Sequence, residues 1–402
     1  MLNVQQRQIT CDDMKILVLG MGLMGPTIAK DCAEDPMVTK VTGCDIDKKK
    51  LDEAKKYVNN KKFDIEVLSV LDHEKVVKKM KDYDLVIHGT AARFSIHALK
   101  AAMEAKVNIV DLAGGGYPQD GPLYKEVEKA GITAMPGCGV DPGLIDVLSG
   151  TAIMTMDQAE SVMFACGGLP VEPEPPLDYK IVFGGTKMPV RPGLVPMIEE
   201  GKQVQMERYS EVEPIYVDGL DPMEAFTDGY PSSLLKLGLE KGVKSFRGKT
   251  IRYNGFVEKI KFLDDLGLIS EDPVDYEGTK VVPRELFHKI IYPLVKFDTD
   301  EGDRDLTVLL VRVEGIKDGN EVVIEYDMVD FYDEENDVTS MAKTTGYSAA
   351  LMARMLGRGA VKKKGIQWPV RVIQGPLVEE LLSKLRERGV EVTETVTTTR
   401  EV

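Results

Sequence analysis

The chain has 402 residues, of which 43% are apolar, with 51 basic against 66 acidic side chains for a formal charge of -15. That length suits two or three domains with substantial cores, and the negative charge argues against nucleic acid or an anionic membrane as partner, since both call for a basic face. Five cysteines without a C-x-x-C pair make no disulfide framework, four dispersed histidines (73, 88, 97 and 288) leave a metal site little material, and no apolar run reaches the ~20 residues of a membrane span. The expectation is a soluble, cytoplasmic protein with no metal.

Residues 1 to 13 are polar and aperiodic, and read as an extension ahead of the first strand or as sequence upstream of a start at Met14. The apolar run Met14 to Leu19 then stops on Gly20-Met21-Gly22-Leu23-Met24-Gly25, a G-x-G-x-x-G spacing at which a buried strand turns into a helix. Gly20 permits the tight turn, Gly22 lets the backbone approach a pyrophosphate, and Gly25 lets the helix pack on its strand. Phosphates favour such a helix N-terminus for its free N–H groups and its dipole, so Gly20, Met21, Gly22, Leu23, Met24 and Gly25 form the candidate cofactor loop. An amphipathic stretch, Pro26 to Glu34, leads to a second strand-like run, Val38 to Cys44, which ends at Asp45, 20 residues after Gly25. A carboxylate there accepts ribose hydroxyls and repels a 2′-phosphate, favouring NAD over NADP. Lys48, Lys49 and Lys50 read as a solvated first helical turn; the alternative is a phosphate-binding loop folded back on the site.

Strand and helix go on alternating: helix Lys48 to Asn59, strand Phe63 to Val70, helix Glu74 to Lys81, strand Tyr83 to Thr90, helix Ile96 to Ala105, strand Val107 to Leu112, the Gly114-Gly115-Gly116 loop, helix Leu123 to Ala130 and strand Ile132 to Met135. This predicts an α/β domain with a doubly wound parallel sheet of Rossmann type. Ligands lie at the carboxyl ends of such strands, which puts Thr90 beside the cofactor.

A loop, Gly137 to Gly143, starts a helix from Leu144 that crosses into a second domain. The proline- and glycine-rich stretch Gly167 to Pro176 reads as a rigid cover more than a sheet strand. Further on, Leu306 to Glu314 and Glu321 to Phe331 flank a turn at Asp318-Gly319; Val322, Ile324, Tyr326 and Met328 alternate with Glu321, Glu325 and Asp327, as in a sheet with one wet face. The second domain is therefore mixed α+β. Gly346 to Leu356 predicts an amphipathic helix, and the tail after Gly375 a charged helix with a frayed threonine-rich end.

The glycine turn, Gly139-Val140-Asp141-Pro142-Gly143, Gly167-Gly168-Leu169-Pro170, Pro175-Pro176-Leu177-Asp178-Tyr179, Ser210-Glu211-Val212-Glu213-Pro214-Ile215-Tyr216, Lys249-Thr250-Ile251-Arg252-Tyr253 and Ala342-Lys343-Thr344-Thr345-Gly346-Tyr347 together resemble the saccharopine dehydrogenase-like enzymes, and among them the lysine 6-dehydrogenases. The segment Phe226 to Pro231 departs from the Gly-Thr-rich turn of those enzymes. The resemblance, over residues 14 to 392, implies a dehydrogenase that oxidises a C–N bond of a small amino acid. It also implies an NAD-binding domain (14–140), a substrate and dimerisation domain (141–340), a C-terminal helical segment (341–402) returning to the first domain, and a homodimer. The implied reaction takes L-lysine and NAD to allysine and 1-piperideine-6-carboxylate. A saccharopine or carboxynorspermidine dehydrogenase and a non-catalytic dinucleotide-binding protein are the alternatives.

Hydride leaves a carbon bearing nitrogen only when the nitrogen lone pair is free, so a lysine ε-amine, with a reference pKa near ~10.4, needs a proton acceptor. Asp141, on a glycine-flanked loop after a sheet strand, is the first candidate; its other reading is an N-cap for the helix from Leu144. Tyr179, after the prolines, closes over substrate or is a core tyrosine. His97, opening a helix near the cofactor edge, is a proton relay or a bystander. Arg252, beside Tyr253, clamps a carboxylate or forms a cross-strand salt bridge, Glu211 and Glu213 face the α-ammonium, and Cys138 packs. Between Glu160 and Leu235 there are 13 acidic residues against 5 basic, which suits a cationic substrate better than the tricarboxylate saccharopine.

Overall fold

The computed structural model describes residues 13–400 except 119, 184, 186, 191, 230 and 231. The extension before residue 13 and the Tyr230-Pro231 end of the departing segment therefore lie outside the described residues. The first half of the chain builds β1 (Met14–Leu19), α1 (Gly25–Glu34), β2 (Val38–Asp45), α2 (Lys48–Val58), β3 (Phe63–Val67), α3 (His73–Met80), β4 (Leu85–His88), α4 (Ser95–Ala105), β5 (Asn108–Asp111), α5 (Pro122–Ala130), β6 (Thr133–Pro136) and α6 (Leu144–Thr155). Its strands lie in the order β3-β2-β1-β4-β5-β6, every pair parallel. The order reverses at β1, and a doubly wound sheet binds its ligand at such a point. Helix starts are written in the sequence: Asp47 accepts the Lys49 and Lys50 N–H groups at the head of α2, and Asp72 that of Lys75 in α3.

The second unit contains β7 (Gln158–Pro170), β8 (Leu194–Glu199), β9 (Lys202–Glu207), β10 (Glu213–Ile215), β11 (Met223–Thr227), α7 (Ser232–Glu240), β12 (Ser245–Tyr253), α8 (Phe256–Asp265), β13 (Val274–Tyr276), β14 (Thr279–Val281), α9 (Pro283–Val295), β15 (Asp305–Lys317) and β16 (Asn320–Phe331). Its main sheet is mixed: β12 and β7 run parallel, whereas β11–β12, β7–β15 and the β15–β16 hairpin are antiparallel. The expected alternation holds on β16, with Val322, Ile324, Tyr326 and Met328 buried. The expected cover is not found. Gly167-Gly168-Leu169-Pro170 is no cover but the end of β7, in the middle of the sheet. These glycines serve close approach: a Cβ on Gly167 would lie 2.6 Å from the Ile251 carbonyl oxygen, and one on Gly168 would strike Met341 and Val182.

The chain then forms α10 (Ser340–Gly357), β17 (Gly365–Ile366), α11 (Pro369–Val372), α12 (Pro376–Arg386) and β18 (Thr393–Thr399). One compact unit comprises residues up to Val147 plus Ala342–Gly389, the other Leu148–Met341 plus the chain from Val390 onward. The C-terminal segment thus rejoins the parallel sheet, where β17 pairs with β6, and α10 is held to α1 by Arg354, with Asp31 at 2.7 Å and Asp35 at 3.0 Å. The last residues cross once more: the threonine-rich tail is not frayed but is β18, the edge strand beside β16. Its β-branched threonines suit a solvated edge. No helix among the described residues is long and apolar enough to cross a membrane.

At the head of α10, Asp305 is fully buried and accepts the Ser340 and Met341 N–H groups at 2.8 and 2.9 Å. Burial pushes its carboxyl up to about 6 against these bonds, with the charge of Asp330 adding to the rise. A raised acid is protonated more readily in the folded chain than in the unfolded one, so its stability contribution is fully present at low pH and is lost as pH rises through about 6. Asp305→Asn removes this dependence. Chemical denaturation of both proteins across pH 4 to 8 is expected to show wild type losing stability relative to the variant as pH rises, and the opposite slope would contradict the assignment.

Candidate functional site

The glycine turn keeps the geometry its spacing implies. Gly20 has φ +99°, and a Cβ there would lie 2.9 Å from the Gly89 carbonyl group and from Thr90 Cγ2; a Cβ on Gly25 would overlap the Gly20 carbonyl oxygen. At Gly22, by contrast, a Cβ would meet nothing within 4 Å, so this is the open side of the turn. The Met21 side chain is buried, and its N–H donates to Asp45 Oδ2 at 2.8 Å while Asp45 Oδ1 accepts the Asp47 N–H at 3.0 Å. Leu23 is exposed and Met24 occupies the N-cap position of α1, which has neither a side-chain cap nor an acidic residue in its first turn. An uncapped helix start facing open space, with a carboxylate at the end of the neighbouring strand, fits the phosphates and ribose of a dinucleotide. Lys48 and Lys49 pair along their own helix with Asp52 (2.6 Å) and Glu53 (3.7 Å), as a solvated turn does.

At the ends of β4 and β5 lies a buried polar chain unmarked by any sequence motif. Thr90 Oγ1 is 2.6 Å from His88 Nε2, His88 Nδ1 is 2.9 Å from Asp111 Oδ2, and the Tyr117 hydroxyl donates to that same oxygen at 3.0 Å. His88 and Asp111 are fully buried and are register partners. A signal was present: two short apolar strands, LVIH and NIVD, both end on an ionisable residue. His97 is not part of this chain. It lies exposed on α4 against the Phe94 ring, with no hydrogen-bond partner among the described residues to which it could pass a proton.

The loop Gly137–Gly143 packs on the Gly114 loop, where a Cβ on Gly114 would lie 3.1 Å from Pro142 Cγ. The N–H groups of Leu144 and Ile145 go to the carbonyl oxygens of Gly139 and Val140, and Gly143 N–H goes to Asp146 Oδ2 at 3.1 Å; none of these capping bonds uses Asp141. Asp146 is buried, and desolvation together with the neighbouring Asp141 charge pushes its carboxyl well above the usual range. Cys138 is buried and raised likewise, first by burial and then by Asp111 and Asp146, which leaves it a packing thiol. Among the described residues no group of three or more His, Cys, Asp or Glu could hold a metal ion.

In the second unit Arg252 is 5% exposed, stacked at 4.7 Å over the Tyr179 ring and 5.8 Å from that of Phe256. Its Nη1 donates to the Ile251 carbonyl oxygen, its Nε is buried, and its charge also lies against the Tyr179 hydroxyl. The cross-strand neighbour of Arg252, Glu224, caps α8 instead, accepting the Gly255 and Val257 N–H groups. Tyr179 is buried in a core cluster with Phe226 and Phe256, which makes it a support for Arg252 rather than a lid. Three other candidates have partners within the second unit. The Tyr253 hydroxyl donates to the Pro170 and Val171 carbonyls, which corrects its reading as a substrate group, while one oxygen of Glu211 pairs with Arg247 and one of Glu213 with Lys249, each at 2.8 Å.

Comparison with known proteins agrees with this layout. Residues 16–135 match the model of the saccharopine dehydrogenase NADP binding domain, and residues 139–390 that of the saccharopine dehydrogenase C-terminal domain. The chain belongs to the saccharopine dehydrogenase family. Among relatives, it is 26% identical over 448 residues to alpha-aminoadipic semialdehyde synthase of Bos taurus, covering 91% of this chain and 46% of that protein. It is also 26% identical to the NADP(+), L-glutamate-forming saccharopine dehydrogenase of Saccharomyces cerevisiae, over 79% of this chain and 86% of that one. This family member spans about half the length of its mammalian relatives. The apo structure of the yeast saccharopine dehydrogenase superposes with a TM-score of 0.76 over 96% of this chain and 100% of that one, at 19% identity, which establishes the shared fold.

The turn makes a contrast testable by substitution. Gly25→Ala forces the Gly20 carbonyl aside and is expected to cost more than about 2 kcal/mol of stability, whereas Gly22→Ala, facing open space, should stay within about 0.5 kcal/mol of wild type while weakening dinucleotide binding. Denaturant titration with parallel binding of NADH checks both; equal destabilisation by the two variants would contradict the geometry.

Proposed function

We propose that this chain is a nicotinamide-dependent dehydrogenase that oxidises the ε-C–N bond of L-lysine, with NAD as the preferred cofactor. The observation that carries the substrate choice is the state of the buried cations. Four basic side chains are buried among the described residues: Arg354 and Lys249 are ion-paired, Lys343 has a partner, and Arg252 forms no ion pair. A buried charge without a counter-ion is costly, and a guanidinium held by aromatic rings is a ready clamp for one carboxylate. Lysine brings one carboxylate; saccharopine brings three and calls for further cations.

The cofactor, when bound, accepts hydride from the carbon. The first unit's part is to hold it on the uncapped start of α1 with a ribose on Asp45 and to offer Asp141 as the proposed acceptor of the ε-ammonium proton; the second unit's part is to hold a carboxylate on Arg252. Lysine, NAD and water then give allysine, NADH, ammonium and one proton, and allysine closes to 1-piperideine-6-carboxylate with loss of water. A saccharopine dehydrogenase is the second reading, favoured by the names of the relatives.

NADH formation with purified protein, offered lysine, saccharopine and carboxynorspermidine in parallel, decides between them. Turnover of lysine is expected. Turnover of saccharopine alone would overturn the lysine reading, and no turnover with any substrate the enzyme reading. Arg252→Lys keeps the charge and loses the fork; it should raise KM for lysine about 10- to 100-fold with a smaller fall in kcat, since a charged hydrogen-bond pair of this kind accounts for ~1.5–3 kcal/mol. A fall in kcat alone would remove the clamp.

A further inference from the structure

We propose that His88 and Asp111 are positioning residues that fix the Thr90 hydroxyl as a hydrogen-bond acceptor toward the bound dinucleotide, and so select a donor group on its nicotinamide half. This rests on the dinucleotide reading of the glycine turn. Thr90 sits at that turn: its Cγ2 is one of the atoms that exclude a side chain at Gly20, and it follows the carboxyl end of β4, next to β1.

The polarity of the chain follows from Asp111. Its Oδ1 accepts the Ala113 N–H at 2.8 Å, and its Oδ2 accepts the Tyr117 hydroxyl at 3.0 Å while facing His88 Nδ1 at 2.9 Å. A carboxylate only accepts, so the imidazole proton is on Nδ1 and, in the neutral ring, Nε2 is bare. Nε2 therefore accepts from Thr90, 2.6 Å away. Threonine has one hydroxyl proton, and this one is turned inward. What Thr90 offers outward is lone pairs, which suit a ribose hydroxyl or a carboxamide N–H and reject an oxygen that only accepts. Without the dyad the hydroxyl rotates and discriminates nothing. His88 and Asp111 are wholly enclosed, so they reach a ligand through Thr90.

Asp111→Asn tests this without changing shape. The Ala113 N–H keeps the amide oxygen on its own side, so the amide nitrogen faces both His88 and Tyr117 and donates to each. The ring proton then moves to Nε2, Thr90 accepts from it, and the Thr90 proton turns outward. Two readouts on the full-length chain apply: 15N shifts of the histidine rings, with His88→Gln for assignment, and NADH binding followed by its fluorescence. Wild type should show the Nδ1–H tautomer and Asp111→Asn the Nε2–H tautomer. Asp111→Asn and Thr90→Val should each weaken NADH binding about tenfold, as for one lost hydrogen bond. Thr90→Ser should bind as wild type does, and the double variant Asp111→Asn/Thr90→Val no worse than either single one. Unchanged affinity in Asp111→Asn, or additive losses in the double variant, overturns the inference alone; absence of NADH and NADPH binding by wild type overturns the dinucleotide reading with it. Should Asp111→Asn not fold, equal binding by Thr90→Val and Thr90→Ser overturns the inference.

Discussion

The hydrogen bond from the Met21 N–H to Asp45 Oδ2 ties the turn leaving β1 to the end of β2, and the candidate cofactor site depends on it. With Met21 anchored and its side chain buried, Gly20 must take a positive φ and Gly25 must press on the Gly20 carbonyl, while Gly22 is left facing outward. The start of α1 is thereby held open, uncapped and free of acidic side chains. Partial positive charge at such an end is uncompensated until an anion arrives. Asp45 thus shapes the turn, and in the proposed reading it also holds a ribose.

Much of the parallel domain was legible because period and punctuation agree there. Apolar runs of four to eight residues alternate with amphipathic stretches, and Asp47 and Asp72 mark helix starts. The errors have a shared cause. The glycine- and proline-rich stretch from Gly167 was read as a rigid cover, whereas β7 needs glycine at 167 and 168 because β12, Val182 and Met341 leave no room for a Cβ. Threonines at 393–399 were read as polar tail, whereas β-branched residues that cannot be buried suit an open sheet edge. In both cases the decisive neighbour is distant in sequence, and a local pattern cannot see it.

The site shows the same division. The geometry of the glycine turn is local and could be read directly from its spacing. Glu211 and Glu213 were taken for substrate groups because their partners, Arg247 and Lys249, lie on a strand more than thirty residues away. His97 was offered as a proton relay or a bystander because it opens a helix, yet the buried histidine beside a carboxylate, His88, is the one whose tautomer the fold dictates. Arg252 was identified from its place in a short strand-like run, and only the packing showed that Glu224, its cross-strand neighbour, is committed elsewhere. Family membership is consistent with all of this but does not choose among substrates. The proposed choice of lysine rests on Arg252 being buried without an ion pair.

The most direct measurement is a calorimetric titration of the intact chain with NAD and with NADP, repeated on Asp45→Ser. If the ribose lies on Asp45, wild type binds NAD more tightly than NADP, and the variant loses affinity for NAD while gaining it for NADP. Tighter binding of NADP by wild type, or a preference that Asp45→Ser leaves unmoved, would contradict the placement of the dinucleotide on this turn.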